Sequence, residues 1–339
     1  FMNQKKKLVV INNEKIFFQN DSFYCENLDI KTTAEGLDKD FDVFMIARQA
    51  KEKKFNQINL RKINSASNIW GFIISLLKTF KDKNVKYFLI SITPYTFFAF
   101  LLLSIFRKKI FVYLRSSGHE EYKVILGFLG PAIYHFMYFL VTLNSTIIVC
   151  HKKLAKKKAS YLVFPSQVDN RWLVNHKEPN LDKPRLLYIG RVKIEKGIFS
   201  LLKIFQSLDN YMELSIAGYT NNPEKINKKV NYMGYVSDIN NLINIYDKHN
   251  IFILPSYTEA HPQVLYESLA RLRPVIIFDE IRHVIKDQEG VFVSERNEQA
   301  LLNTIKFIMK DYKNIQNLIR KNKLPTKQNF INQLIDILH

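Results

Sequence analysis

The sequence predicts an α/β protein with two doubly wound domains, each built on a mostly parallel sheet. Short apolar runs of strand length alternate with segments of helical length in both halves of the chain, which is the pattern of parallel sheets with crossover helices. A polar, proline-containing stretch interrupts this alternation at residues 165–184. The length of 339 residues accommodates two domains of ordinary size.

The first domain is predicted to span residues 1–167. Segments of helical length separate most of its candidate strands, as expected when helices cover both faces of a sheet. The candidate strands are residues 8–11, 43–46, 87–92, 110–114, 146–150 and 161–164.

Two apolar stretches of this domain bear on membrane association. Residues 97–106 are too few to span a bilayer. Residues 124–150 contain no Asp, Glu, Lys or Arg, but Gly130 and Pro131 interrupt them and residues 146–150 fit a strand. We therefore expect a helix that lies on a membrane surface, or simply packs on the core, followed by a strand, in preference to a transmembrane helix.

Residues 168–184 are predicted as an interdomain linker, and residues 185–325 as a second domain. Apolar residues recur at helical spacing from Ile198 to Leu208. Residues 326–339 are predicted as a terminal helix. Candidate strands of the second domain begin at Leu186 and continue at residues 213–217, 231–236, 251–254, 275–278 and 291–293, and helices follow at Lys196, Ile239, Pro262 and Glu298.

The chain is strongly basic, with a formal net charge of +19 and several runs of Lys and Arg. Three interpretations compete: an anionic membrane surface as partner, a solvated lysine-rich surface, and nucleic acid as partner. We favour the membrane and expect no nucleic acid partner. The two cysteines lack metal-type spacing, which suggests a reducing compartment. The expected location is therefore the cytoplasm, peripheral to the inner face of the cytoplasmic membrane.

Two carboxylates flank a predicted strand-to-helix turn. Glu259 lies in the polar loop after the apolar run 251–254, and Glu267 lies about a turn and a half into a helix that has Pro262 in its first turn. Both can therefore border one pocket at the carboxyl end of a strand. Open α/β sheets bind ligands at that edge, and helix N-termini favour phosphate.

A second turn of the same kind follows the strand that begins at Leu186. Gly190 and Arg191 end that strand, and Lys196 precedes the next helix. Two cations at a helix N-terminus, where backbone amides already point outward, suit a diphosphate. The helix macrodipole disfavours a lysine at this end, so a ligand explains Lys196 better than the fold does.

Together, these motifs resemble those of the retaining nucleotide-sugar glycosyltransferases of the GT-B fold, specifically family 4 (glycosyl transferases group 1). That family's donor domain shows Gly-Arg and Glu-Lys-Gly, followed by Glu-Gly-x-Pro-x-x-x-x-Glu. Here Gly190-Arg191, residues 195–197 and residues 259–267 occupy those places. The resemblance is clear over residues 184–293. It implies two Rossmann-like domains that face each other across a cleft, with the terminal helix packing back on the first.

The resemblance also implies the donor contacts. Glu267 would bind the ribose and Glu259 the transferred sugar, while Arg191 and Lys196 would stabilise the diphosphate. No metal is then required, and neither motif contains Asp-x-Asp, which would hold a divalent ion on a diphosphate. The other donor-binding residues that the resemblance implies are Gly190, Gly234, Val236, Ala260, His261, Pro262, Val264 and Leu265.

In the first domain, a predicted strand runs into a polar loop over residues 111–122. Members of the family often place a histidine just after this strand. The resemblance therefore implies that His119 contacts the sugar or the acceptor hydroxyl. Arg115 would bind a phosphate of the acceptor or donor, and Ser116 would belong to the same acceptor site.

The chain departs from the family pattern in three places. Ala260 replaces the glycine after the first glutamate, and its methyl group restricts the backbone. Residues 12–14 replace a glycine-rich turn after the first strand. Residues 280–283 replace a loop that is usually glycine-rich, and the sequence offers no physical account of that change.

The implied activity is that of a retaining, metal-independent glycosyltransferase. It would move a sugar from a nucleotide-diphosphate sugar to a hydroxyl of a saccharide acceptor, without a cofactor. The basic, apolar first domain suggests a lipid-linked acceptor in the synthesis of a bacterial surface polysaccharide, such as O-antigen or capsule.

Two alternatives stay open. One is another enzyme with the GT-B fold, either a nucleotide-sugar epimerase or a phosphorylase. The other is a non-catalytic basic protein that binds lipid or nucleic acid, which leaves both strand–loop–helix motifs unexplained. Oxidoreductases and P-loop enzymes lack their main support, since no glycine-rich dinucleotide or P-loop motif occurs.

Overall fold

The computed structural model describes residues 5–82, 84–156, 158–208, 212–218 and 230–339. The chain divides into two compact units: the first unit comprises residues 1–164 and 328–339, and the second unit comprises residues 165–327. Each unit has a sheet of mainly parallel strands with helices between them. The predicted fold class, α/β with two Rossmann-like domains, is therefore confirmed.

Strands of the first unit join into one sheet. The described strands are β1 (Lys7–Gln19), β2 (Ser22–Cys25), β3 (Asp42–Gln49), β4 (Asn56–Ile58), β5 (Lys62–Ala66), β6 (Lys86–Ile90), β7 (Lys109–Leu114), β8 (Thr146–Val149) and β9 (Tyr161–Leu162). Parallel pairing gives the order β5-β3-β1-β6-β7-β8-β9. β2 and β4 add antiparallel strands beside the far half of β1.

β1 is longer than the sequence predicts. It continues through residues 12–14, where a turn was expected, and forms a hairpin with β2. Asn20 and Asp21 have φ angles of 49° and 54°, which is the left-handed conformation that tight two-residue hairpins require. The predicted strand 8–11 therefore ended too early, because pairing with β2 extends it.

The helices of the first unit are α1 (Leu28–Leu37), α2 (Ile69–Lys78), α3 (Pro94–Ile105), α4 (Gly118–Leu126) and α5 (Gly130–Leu143). The first three begin at side-chain caps. Asn27 and Asn68 accept backbone N–H bonds at the starts of α1 and α2, and Thr93 forms a capping box with Thr96 before α3. Each cap satisfies backbone donors that the first helical turn leaves without partners.

The apolar segment 124–150 is helical and then forms a strand, as predicted, but its helical part is divided between the end of α4 and α5. α4 ends at Leu126, a short 3₁₀ turn follows, and α5 begins at Gly130 with Pro131 in its first turn. Residues 146–149 form β8. No helix in the described part of the chain is long and apolar enough to cross a bilayer.

The second unit has a fully parallel sheet in the order β12-β11-β10-β13-β14-β15, which are Asn231–Gly234, Glu213–Ala217, Arg185–Ile189, Ile251–Leu254, Val275–Phe278 and Val291–Ser294. Numbered within this unit, the order is 3-2-1-4-5-6, as in doubly wound dinucleotide folds. Strand order reverses between β10 and β13, and ligands bind such sheets outside that point.

The described helices of the second unit are α6 (Asn170–Leu173), α7 (Ile198–Ser207), α8 (Ile239–Lys248), α9 (Gln263–Ala270), α10 (Glu298–Lys310) and α11 (Tyr312–Ile319), and the terminal helix is α12 (Lys327–Leu338). The apolar side of α7, which the sequence predicts, is buried in the core of this unit.

α12 packs against the first unit. The Lys86 ammonium donates to the carbonyl of His339 at 2.7 Å, and the rings of Phe330 and Tyr113 lie 6.1 Å apart. A Cβ on Gly36 would fall 2.5 Å from the Ile331 side chain, so α1 and α12 can pack this closely only because residue 36 is a glycine.

The predicted linker, residues 168–184, belongs to the second unit. Trp172 is buried in its core. Arg271 donates to the carbonyls of Trp172, Val174 and Asn175 at 2.8–2.9 Å, and Arg273 donates to that of Lys177 at 2.7 Å. These bonds hold the segment against the sheet instead of leaving it as a free connection.

Candidate functional site

Parallel pairing of β10 with β13 brings two turns to one edge of the second sheet. Leu186 is paired with Ile251, and Leu187 with Phe252. Residues 190–197 follow β10 and residues 255–262 follow β13, so both turns lie at the carboxyl end of the sheet. This is the point of strand-order reversal, where the topology favours a ligand.

Gly197 makes direct contact between the two turns possible. Its φ is +65°, and a Cβ there would lie 1.8 Å from the carbonyl oxygen of Pro255. Next to it, the Tyr257 N–H donates to the carbonyl of Glu195 at 3.1 Å. Glycine is therefore required by both backbone conformation and space.

Lys196 and Glu259 form an ion pair at this contact. The Lys196 Nζ lies 2.6 Å from Glu259 Oε1, and the Ser256 hydroxyl donates to the same oxygen at 2.7 Å. Both charged side chains are largely shielded from solvent. The basic turn and the acidic loop thus meet, although their roles toward a ligand stay predictions.

Arg191 lies on the exposed side of the same turn. Its side chain forms no ion pair within the described ranges. The Tyr188 hydroxyl donates to the Arg191 carbonyl at 2.8 Å. Burial, reinforced by the Glu259 charge, raises the pKa of Tyr188, so this hydroxyl keeps its proton and anchors the turn through the Arg191 carbonyl.

Glycines lie at the carboxyl ends of three neighbouring strands, at the same edge of the sheet. The Gly190 N–H donates to Ala217 O at 3.0 Å, and the Gly218 N–H donates to Gly234 O at 2.8 Å. A Cβ on Gly218 would lie 1.8 Å from Gly190 O. The half-buried Val236 lies two residues after the end of β12. The sequence prediction missed Gly218, although its position directly after strand 213–217 could have revealed it.

Glu267 lies on α9 and is buried, with 7% of its surface exposed. The Tyr246 hydroxyl donates to Glu267 Oε2 at 3.0 Å. Burial first, and then the charge of Glu267, hold the pKa of Tyr246 well above its usual range. If the spacing of Glu259 and Glu267 arose by chance, Glu267 would be expected to be a solvated residue on the outer side of a helix. Its burial and its bond from Tyr246 do not fit that explanation.

Other residues of the acidic loop have mixed environments. Pro262 is the N-cap of α9, so its predicted place inside the first helical turn was wrong by one residue. The Leu265 N–H already donates to Pro262 O at 3.3 Å, and Val264 O accepts from Tyr246 at 3.3 Å. His261 bonds to Pro165 O at 2.8 Å. Ala260 is half-buried in the loop.

Residues 280–283 support the acidic loop, which answers the question that the sequence raised. The His283 ring bonds through Nε2 to the carbonyl of Glu259 at 2.8 Å. Glu280 pairs with Arg296 through two bonds of 2.8 and 3.0 Å, and this pairing lowers the pKa of Glu280.

Arg296 is a site residue that the sequence prediction missed. Its guanidinium lies 4.2 Å from the Tyr257 ring centre and 4.3 Å from that of Phe278. Its Nη1 is buried and has no hydrogen-bond partner among the described residues. No local motif marks this arginine, because its contacts come from residues distant in sequence.

The predicted acceptor residues lie in the first unit, near the end of β7. Arg115 forms an ion pair with Asp29 on α1 at 2.7 Å. Ser116 is half-buried in the loop before α4. Arg115 is thus paired with a carboxylate of its own unit. To bind a phosphate as predicted, its guanidinium would have to contact the phosphate and Asp29 at the same time.

His119 lies in the first turn of α4 and contacts other basic groups. Its Nε2 lies 2.9 Å from the Lys156 Nζ and 3.4 Å from His135 Nδ1. Burial, then Lys156 and then His135 lower the pKa of His119 to about 4. The ring is therefore neutral at physiological pH and accepts a bond from Lys156 through Nε2, with its proton on Nδ1.

A cavity of 570 Å³ lies elsewhere, at the amino ends of strands in the first sheet. Asp38 and Asp42 line it, and with Asp40 between them in the sequence they form two overlapping Asp-x-Asp sequences. Asp38 accepts the Val43 N–H at 3.1 Å, and Asp42 pairs with Lys62 at 2.7 Å. These groups are engaged in the fold, and they lie at the edge of a sheet where doubly wound folds do not bind substrate.

Comparison with known proteins agrees with this arrangement. Residues 172–324 match the family model described as "Glycosyl transferases group 1". A segment of 127 residues is 27% identical to TuaC of Bacillus subtilis, a protein named for teichuronic acid biosynthesis as a glycosyltransferase. That alignment covers 37% of this chain and 33% of the relative. The chain thus matches about a third of that relative's length.

Solved structures show the same fold over nearly the whole chain. The HepE protein of Anabaena, in complex with UDP and glucose, superposes with a TM-score of 0.70 at 9% identity, covering 98% of this chain and 99% of that one. The lipopolysaccharide outer core galactosyltransferase WaaB gives a TM-score of 0.65 at 16% identity, covering 98% and 100%.

Proposed function

We propose that the protein is a nucleotide-sugar-dependent glycosyltransferase, on the premise that residues 172–324 match the glycosyl transferases group 1 family model. The observation that carries the proposal is the Lys196–Glu259 pair, 2.6 Å long, at the strand-order reversal of the second sheet. The donor is bound by the second unit, and the acceptor by the first.

The Lys196–Glu259 pair is suited to a diphosphate. An ammonium has three N–H donors, so Lys196 can keep Glu259 and still donate to a phosphate oxygen. The pairing fixes a flexible side chain in advance, which reduces the entropy lost on binding. Arg191, exposed on the same turn, adds a second cation where charge develops on the leaving group.

We extend the proposal to metal-independent transfer with retention. The bond between the anomeric carbon and the diphosphate breaks, a bond to the acceptor oxygen forms on the same face, and the proton of the acceptor hydroxyl passes to an oxygen of the departing diphosphate. Glu259 holds the sugar and Glu267 the ribose. Two protein cations neutralise the departing diphosphate, which is the task that a divalent ion performs in other phosphate sites. This part rests on the family resemblance and on the cations of the turn.

The acceptor is proposed to be a saccharide, linked to lipid, in the synthesis of a bacterial surface glycan. Similarity to TuaC and WaaB supports the glycan class, since their names refer to teichuronic acid and lipopolysaccharide. The formal charge of +19 supports an anionic membrane as the place of encounter.

The test is release of nucleotide from UDP-glucose, chosen because HepE was solved with UDP and glucose, in the presence of a chelator. Replacing Lys196 with Met should lower the rate by about 10²–10³-fold, because one group that stabilises developing charge is lost. Lys193→Met is the matched control, since Lys193 is exposed in the same turn. Equal losses in both variants would end the site assignment.

A second measurement separates transfer from epimerisation and from plain binding. Products are analysed with and without a saccharide acceptor over a panel of nucleotide sugars. Transfer predicts acceptor-dependent glycoside formation with the configuration of the donor. A changed sugar released without an acceptor would establish an epimerase instead, and salt-sensitive binding to any polyanion without turnover would establish a basic binding protein.

A further inference from the structure

Helices α2, α3 and α5 cover one face of the first sheet. Their inward residues share one apolar core with that face of the sheet, among them Phe72 of α2, Phe100 of α3 and Met137 of α5. This packing accounts for one side of each helix. The opposite sides face away from the sheet, and a helix on a protein surface normally carries polar or charged residues there.

The outward sides of these helices are apolar as well. We call them the apolar face, defined by Trp70, Ile74, Phe98, Ile105, Phe136 and Phe139, all of them exposed. Trp70 is 72% exposed and Phe136 is 61% exposed. The sequences of α2, α3 and α5 contain a single charged residue, Lys78. An apolar surface that extends over three helices is larger than the scattered exposed residues of an ordinary monomer.

The short turn before α5 continues this surface. Phe128 is 87% exposed, and Ile125, Leu126 and Leu129 around it are exposed too. Such a turn can enter an apolar medium with little rearrangement, because its side chains already point away from the core.

Cations border the apolar face. The Lys158 Nζ lies 5.8 Å from the centre of the Phe139 ring, and the Lys108 Nζ lies 4.9 Å from that of Phe80. Long lysine side chains beside apolar rings can keep their charge at a polar boundary while the rings enter an apolar phase. Glu120 and Glu121 are the acidic exceptions nearby, in the first turn of α4.

We propose that the apolar face docks on an anionic lipid bilayer, with α2, α3 and α5 lying at its surface. An anionic bilayer matches both properties of this region, since its interior takes the aromatic side chains and its head groups attract the lysines. A second copy of the chain would carry the same net charge of +19, which opposes self-association through this face. The inference deepens the membrane part of the proposed function and rests on it for its biological meaning.

Two tryptophans allow a direct test. Trp70 lies on the apolar face, whereas Trp172 is buried in the second unit. The full chain is mixed with vesicles of phosphatidylglycerol and phosphatidylcholine in equal parts, and with vesicles of phosphatidylcholine alone. We expect flotation with the anionic vesicles and a blue shift of emission, which Trp70→Phe abolishes. No flotation with anionic vesicles would overturn the proposal.

Substitutions on the face provide the matched comparison. Phe136→Asp, and separately Ile105→Asp, should weaken partition into anionic vesicles by about tenfold or more, since burial of a large apolar side chain is lost. Phe55→Asp is the control, because Phe55 is 55% exposed in the same unit but lies on no helix of the face. Circular dichroism establishes that each variant is folded. Equal weakening in the control and face variants would overturn the proposal.

The remaining outcomes separate other occupants and other failures. A Trp70 shift that grows with protein concentration without vesicles, and that vesicles do not increase, would assign the face to a second copy and overturn docking on lipid. Release of nucleotide from UDP-glucose is measured on the same samples. A folded face variant that loses vesicle binding but keeps this rate supports docking, whereas loss of the rate in the unchanged protein would count against the proposed enzyme alone.

Discussion

Single residues decide whether the two turns of the candidate site can meet. Gly197 is the clearest case, since a Cβ there would overlap the Pro255 carbonyl at 1.8 Å. Gly234 also has a positive φ, +71°, but no described residue other than its chain neighbours lies within 4 Å of its Cβ position. The two glycines therefore share a left-handed backbone conformation but differ in how much room surrounds the Cβ position.

This difference yields a stability prediction. Gly234→Ala should cost about 1–2 kcal/mol of unfolding free energy, from backbone strain alone. Gly197→Ala should cost more, because the turn must also move away from Pro255, and it should reduce binding of a nucleotide sugar. Urea unfolding followed by Trp172 fluorescence, in a Trp70→Phe background, measures both. Equal losses of unfolding free energy in the two variants would show that the turn can move away from Pro255 at no cost.

At His119 the prediction concerns pH. The pKa of about 4 lies below the ordinary value of 6.5, so the unfolded chain binds a proton that the folded chain excludes between these values. The stability that His119 contributes is complete above about pH 6.5 and is lost as the pH falls toward 4. Titration of the His119 ring by NMR should give a midpoint near 4.

Replacement of Lys156 by Met should raise that midpoint, because a neighbouring cation is removed. It should not restore 6.5 completely, since burial is the larger cause of the shift. Lys153→Met, in the same short helix, is the control. A midpoint near 6.5 in the unchanged protein would contradict the contact with Lys156.

At the scale of elements, the turn 279–284 acts as a support for the loop that carries Glu259. Glu280 holds Arg296 against Tyr257 and Phe278, and His283 holds the Glu259 carbonyl. Arg296 contacts the loop through the Ser256 carbonyl at 3.5 Å and through the Tyr257 ring. We therefore regard it as a positioning residue.

A pair of neighbouring substitutions tests that role. Glu280→Gln weakens the support of Arg296 and should lower kcat by about tenfold with a smaller change in KM, because small displacements of a catalytic group cost rate. Asp279→Asn removes the same charge from the same turn, but its partner, Arg282, is exposed, so the rate should hold. An equal fall in kcat in both variants, with KM unchanged, would point to a smaller folded fraction instead.

Elements differ in how far sequence predicts them. Strands 213–217, 251–254 and 275–278 match the observed β11, β13 and β14 to the residue, because buried parallel strands are short apolar runs between turns. β2, β4 and β5 were missed, since edge strands such as β4 alternate or are polar. Asn20-Asp21 between aromatic runs was a hairpin pattern that could have located β2.

Part of the candidate site could also be predicted, because the buried strands that precede its two turns could be located in the sequence. Lys196 and Glu259 follow adjacent parallel strands, and the topology alone brings them together. Arg296, Glu280 and Gly218 were not predicted, because nothing in their local sequence indicates which distant atoms they contact.

For the whole molecule, the unit boundary depends on buried arginines. Arg271 forms two bonds of 2.9 Å to Asp247 and three more to carbonyls of residues 172–175. The sequence predicts a linker at residues 168–184, because this segment contains the prolines and polar residues that are common in linkers. Composition could not reveal that backbone carbonyls of this segment are the partners of a buried guanidinium about a hundred residues away.

Arg271→Ala should therefore destabilise the second unit by about 3–5 kcal/mol, because the buried Asp247 loses both of its 2.9 Å bonds and keeps, among the described residues, only the more distant Arg273, at 3.8 Å, as a charge partner. Both side chains are almost completely buried, so water cannot replace the lost bonds. The urea transition of Trp172, in the Trp70→Phe background, reports this directly, since Trp172 lies on the segment that Arg271 holds. Arg282→Ala, which breaks an exposed pair, should change the same transition by no more than about 0.5 kcal/mol. If Arg271→Ala changed it as little as that, residues 168–184 would be a loosely attached connection after all, and the unit boundary would lie near residue 184.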